Sequence, residues 1–101
     1  MMSDGYNGWK NWDSWETALI LENTESTYRW ILEWNKNFRR KMKKGVFNQA
    51  KAESVVEKYI IPVARGKGMA SRFSGFTFDP DIDRKKVDKA EIVNWILEQG
   101  E

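Results

Sequence analysis

Apolar positions recur every three or four residues along most of the chain, which is the period of an α-helix. Trp12, Trp15, Ala18 and Leu19 share one face, widened by Ile20 and Leu21, and predict a helix over about 12–22. Asn7-Gly8 precedes it as a turn, since both residues tolerate positive φ. Asn11 is its expected N-cap, with Asp13 and Glu16 near the positive end of the helix dipole. Asn23-Thr24 interrupts the pattern and offers the next cap. Ile31, Trp34, Phe38 and Met42 then form a stripe, led by Tyr28, and predict a second helix over about 25–44 that stops at Gly45 as its C′ residue. A third helix is predicted over about 48–61, with Ala52, Val55, Val56, Tyr59 and Ile60 as its buried face. Pro62 should end or kink it.

Residues 65–79 lose the helical period. Three glycines make this stretch a loop, anchored by Phe73, Phe76 and Phe78, and the alternation Phe76-Thr77-Phe78 is also compatible with a short strand. The last helix, over about 89–98, has the fullest local signature. Asp88 stands at the N-cap, Glu91 at N3, and Val87 and Ile92 at the positions of a hydrophobic staple. Ile92, Val93, Trp95, Ile96 and Leu97 supply its apolar surface, and Gly100 follows its end. The expected fold is all-α: a small single domain of about four helices, the first two an antiparallel hairpin, with a Gly/Phe-rich loop before the last.

Trp9, Trp12 and Trp15 follow the Asn-Gly turn at intervals of three. Their size makes them the expected nucleus of the core, packed with the second and last helices. The motif Tyr6-Asn7-Gly8-Trp9, then Asn11, Trp12, Ser14 and Trp15, resembles the opening of a family of short phage, prophage and plasmid proteins. Their typical start reads Tyr-Asn-Gly-Trp-x-Asn-Tyr-x-Thr-Trp. The similarity continues through Leu19 and Asn23 to Tyr28-Arg29, and the segment 90–96 looks like the family's Trp-containing last helix. Trp12 stands for the usual Tyr, Ser14 for Thr and Thr24 for Asp. The family carries no established activity, so the resemblance implies a mobile-element origin and not a mechanism.

Composition narrows the functional classes. The chain has 101 residues, enough for one core. Six tryptophans and a 41% hydrophobic fraction indicate a folded chain. The absence of cysteine points to a reducing compartment, expected to be the host cytoplasm. No apolar run is long enough for a membrane span, and 1–5 lacks the basic and apolar segments of a signal peptide. The net charge of +2 conceals a polarised distribution: −4 over 1–33, +9 over 34–72 and −3 over 73–101. A basic block of this kind attracts nucleic acid or an acidic protein surface.

Candidate chemistry is sparse. With neither His nor Cys, the chain lacks the common general base, the thiolate nucleophile and the usual zinc ligands. No nucleophile elbow or Walker loop is present, so no catalytic, cofactor or metal residues are assigned and the chain is not expected to be an enzyme. Asp79, Asp81 and Asp83 alternate as in a calcium loop, but Arg84 and Ala90 stand where the glycine and the bidentate Glu belong, which favours an acidic linker. Arg65-Gly66-Lys67-Gly68 offers either a phosphate nest or a solvated connection.

The expected partner-binding residues are Trp30, Lys36, Arg39, Arg40, Lys43 and Lys44, with Arg65, Lys67 and Arg72 from the loop. Most tryptophans should be core, and Trp30 is the one expected to stay partly exposed. The leading expectation is a mobile-element accessory protein that binds a host protein, or a protein–nucleic acid complex, stoichiometrically, as anti-CRISPR inhibitors of host defence do. The alternative is a nucleic-acid-binding protein that uses the basic middle third. An enzyme ranks third.

Overall fold

The computed structural model describes residues 6–100; the segment 1–5, read above for a signal peptide, lies outside them. Among the described residues four helices form: α1 (Trp12–Asn23), α2 (Glu25–Lys43), α3 (49–64) and α4 (Lys89–Glu98), with a 3-10 turn at Gly68–Arg72 between the last two. The fold is all-α. Among the described residues no strand forms at Phe76–Phe78, and β-type pairing is confined to a bridge between Tyr6 and Trp9.

The helix that closes the chain is the one the others surround. α4 packs against α1, α2 and α3. Its Ile92, Val93, Trp95 and Ile96 are buried, each apolar side chain contributing about 1.5–3 kcal/mol. Asp88 caps it, Oδ1 accepting the Glu91 N–H at 3.1 Å, and the staple residues Val87 and Ile92 are both in the core. The reciprocal half of a capping box is not made. The Asp88 N–H donates to Ser14 Oγ at 2.8 Å, and the Glu91 carboxylate accepts the Lys10 N–H instead.

α1 buries a different face from the expected one. Ser14, Thr17, Ala18 and Leu21 point inward, while Trp12, Trp15, Leu19 and Ile20 are half-buried along the flanks. Small residues permit close approach of neighbouring elements, and bulky indoles are displaced to the borders. Thr17 makes this affordable by donating its hydroxyl to the Asp13 carbonyl at 2.8 Å, so no polar atom is stranded. Trp9 and Trp12 pack against the core, whereas Trp15 lies on Tyr6, ring centroids 4.8 Å apart.

Thr24, extended at φ −116°, turns the chain from α1 into α2. Its own side chain makes no cap bond; the buried Thr27 hydroxyl ties down the Leu21 and Thr24 carbonyls at 2.8 and 3.0 Å. On α2, Thr27, Ile31, Asn35 and Phe38 are buried, and Met42, expected on this stripe, is 50% exposed. Asn35 is buried because it works as a cap for α4. Its Nδ2 donates to the Ile96 and Gln99 carbonyls, both at 2.7 Å. The rings of Trp30, Trp34 and Phe38, one turn apart, meet Phe73, Tyr59 and Phe47. That reversed order shows α3 running back along α2, with aromatic rings filling the space between them.

α3 does not end at Ile61. It passes through a π-turn at Val56–Ile60, where the Ile61 N–H reaches the Val56 carbonyl, and continues through Ile61–Ala64. Pro62 has no N–H and its ring crowds the carbonyl four residues back. The wider π-turn makes room for it. The extra residue also keeps Ala52, Val56, Ile60 and Ala64 in one buried line and turns Tyr59, expected in the core, outward at 51% exposure.

Both α2 and α3 stop with the same cap. Gly45 and Gly66 have φ of +75° and +82°. The Val46 N–H reaches the Lys41 carbonyl and the Gly45 N–H that of Met42; Lys67 and Gly66 repeat the pattern on Pro62 and Val63. This is a Schellman motif. A Cβ at Gly66 would also collide with the Phe78 ring.

Candidate partner-binding surface

The N-terminal motif proves to be a clasp. Asn7 and Gly8 adopt φ of +51° and +89°, the signature of a type I′ turn, and Tyr6 and Trp9 exchange backbone hydrogen bonds across it. Asn11 accepts the Ser14 N–H through Oδ1 at 2.8 Å and donates Nδ2 to the Lys86 carbonyl at 2.7 Å. Asp13 Oδ1 accepts the Asp83 N–H at 2.8 Å, and Lys10 Nζ lies 3.5 Å from Asp88. Every one of these polar groups holds the start of α4 and the loop before it. Lys10, Asn11, Asp13 and Ser14 thus serve the fold.

The nine residues expected to meet a partner divide into several groups. Arg40, Lys43 and Lys44 are exposed at the C-terminal end of α2, joined there by exposed Lys41. None of the four has a carboxylate within ion-pair reach among the described residues. Lys36, on the same helix, pairs with Glu33 at 3.7 Å, with both side chains exposed. Arg39 instead donates to the Leu97 carbonyl at 2.5 Å, placing its cation at the negative end of α4. Arg65 Nε donates to the Ile82 carbonyl at 2.8 Å and fixes the loop whose Ile82 plugs the core. Trp30 is half-buried between Trp34 and Phe73. Lys67 and Arg72 are exposed near the 3-10 turn, away from the clasp chemistry.

The phosphate-nest reading of 65–68 does not fit the hydrogen bonding. The N–H groups of Arg65, Gly66 and Lys67 all point back to carbonyls of α3. The carboxylates of Asp79 and Asp83 accept the N–H groups of Asp81 and Lys85, ordinary turn bonds. Among the described residues no group of three His, Cys, Asp or Glu is placed to hold a metal ion. One acid is perturbed: Glu16 is raised from 4.5 to about 7, first by burial and then by the hydrogen bond and negative charge of Asp79 beside it.

Among the surface concavities that adjoin the cationic groups, one lies at the end of α2 and another at the π-turn. The first, about 260 Å³, lies at the end of α2, walled by Phe38, Phe47, Ala52 and Val55 with Lys41 and Lys51 contributing, and with Val46 and Asn48 completing it. Val46 is 63% exposed. Val46, Phe47 and Lys51 were not singled out by the sequence pattern. The signal for them was an apolar pair placed directly after the Gly45 stop, where the second residue past a helix end folds back on its last turn. The second, about 370 Å³, lies at the π-turn between Lys58, Tyr59, Pro62, Gly68, Met69 and Arg72.

Among the described residues no helix is long and apolar enough to cross a membrane. No family model, curated protein or solved structure matches the chain.

Proposed function

We propose that this chain is a non-catalytic accessory protein of a phage or other mobile element, acting by stoichiometric binding to a host protein through the basic end of α2. The observation that carries this reading is the state of its charges. Arg40, Lys41, Lys43 and Lys44 stand exposed with no carboxylate in ion-pair reach among the described residues, next to exposed Met42 and Val46. Unneutralised cations beside solvent-exposed apolar side chains are what an interface for an acidic protein surface requires. The mobile-element origin rests on the resemblance of the opening motif. Together they suggest an inhibitor of a host defence system, of the anti-CRISPR type, in which a basic surface covers an acidic functional site in the host cytoplasm.

The test is affinity purification from nuclease-treated host extract, followed by titration of the purified partner. Reversal of Arg40, Lys43 and Lys44 to Glu should abolish the complex, and added salt should chiefly slow association. Arg39 is left intact because it caps α4. Full binding by the reversed variant overturns the reading.

A second reading has its own observation. Tyr59 presents an exposed ring between Lys58 and Arg72, an arrangement suited to stacking a nucleobase beside its phosphates. It requires that free single-stranded nucleic acid bind with steep salt dependence and that Tyr59→Ala weaken it.

A further inference from the structure

Resting on the protein-binding reading, the geometry points to the chemistry of the partner segment. We infer that the concavity at the end of α2 is a socket for one apolar side chain of an acidic amphipathic helix on the partner, with Lys41 and Lys51 engaging carboxylates on either side.

Three observations lead there. The walls Phe38, Phe47, Ala52 and Val55 are carbon surface, and at about 260 Å³ the space falls below the ~300–1,000 Å³ usual for small-molecule sites. It has room for at least one large apolar side chain. The charged side chains that line it are of one sign, Lys41 and Lys51, and exposed Arg40, Lys43 and Lys44 stand at the same helix end. An apolar ligand without negative charge would leave those cations unanswered, and a bare polyanion would leave the apolar walls wet. Finally, apolar side chains stand exposed at this helix end. Val46, held by the Schellman cap at the C″ position, is 63% exposed, and Met42 one turn before it is 50% exposed. An apolar anchor flanked by acids one helical turn to each side satisfies all three, in the helix-in-groove mode of recognition.

The experiment is an NMR titration of the full chain with a synthetic helical peptide carrying one Leu flanked by Glu at i−4 and i+4. Control peptides replace the Leu by Ala, or both Glu by Lys. The expected result is shifts confined to Phe38, Val46, Phe47, Ala52 and Val55, with affinity tighter than about 1 mM. It should weaken at least about tenfold with the Ala peptide and vanish with the Lys peptide. Val46→Asp and Lys51→Glu, both at exposed positions, should each remove binding while leaving the remaining spectrum unchanged. No shift at these residues, or equal binding by all three peptides, overturns the socket. The same two variants separate this inference from the reading it rests on. If they retain the purified partner while the Arg40, Lys43, Lys44 reversal loses it, the basic surface stands and the socket falls. If a single-stranded oligonucleotide shifts the socket residues and the acidic peptide does not, the socket is likewise overturned.

Discussion

Two regions of this chain are equally polar in sequence and opposite in use. The N-terminal clasp holds Lys10, Asn11, Asp13 and Ser14, and every one of them bonds to the start of α4 or the loop before it. The end of α2 holds Arg40, Lys41, Lys43 and Lys44, and none finds a carboxylate among the described residues. A polar group with a geometric partner stabilises the fold. One left to solvent contributes little to stability and remains available for an interface. The N-terminal motif is architecture, and the proposed interface lies outside it.

The comparison is broken most severely where the clasp meets the core. Ile92→Ala, at a fully buried position on the first turn of α4, should cost about 2–5 kcal/mol in chemical denaturation. A loss below 1 kcal/mol would show that α4 is not the hub. Asn35→Ala removes the side-chain donor to the Ile96 and Gln99 carbonyls at the other end of α4, of which Ile96 keeps the Gln99 N–H, and should cost about 1–3 kcal/mol. Ser14→Ala removes the acceptor of the Asp88 N–H and should cost about 1–2 kcal/mol by the same measurement. At the basic end, Lys43→Ala and Lys44→Ala should change stability by no more than about 0.5 kcal/mol.

Glu16 sharpens the comparison through pH. Its folded pKa is raised from 4.5 to about 7, so between those values the folded state holds more protons than the unfolded one. Stability from this group is therefore present at low pH and lost as pH rises through that window. The melting temperature should be higher at pH 5 than at pH 8. Glu16→Gln should raise it at pH 8 and flatten the difference, each kcal/mol being worth roughly 4–8 °C in a domain of this size. A Glu16→Gln variant with the parent's pH profile would remove the carboxyl pair from the account.

What the sequence made legible was local. The Asn11 and Asp88 caps, the Gly45 stop and the four helical segments follow from side chains acting on neighbours three to five residues away. What it hid was long-range. Ser14 sits where an α1 face of tryptophans was expected, because the close packing of α1 depends on α4, a partner 74 residues distant. Arg39 reads as one more cation of a basic run until α4 brings the Leu97 carbonyl to it. Tyr59 leaves the core because Pro62 is accommodated by a π-turn, and an even helical period places it on the wrong side. The concavity at the end of α2 arises from two helix ends and the turn between them, none of which is a motif on its own.

The most direct test of the central claim is hydrogen–deuterium exchange on the chain alone and on the complex with its captured partner. The account predicts new protection across 40–55, with exchange unchanged across 6–15, where the Tyr6, Trp9, Lys10, Ser14 and Trp15 amides already bond inside the fold. Protection that appears across 6–15 and spares 40–55 would contradict it.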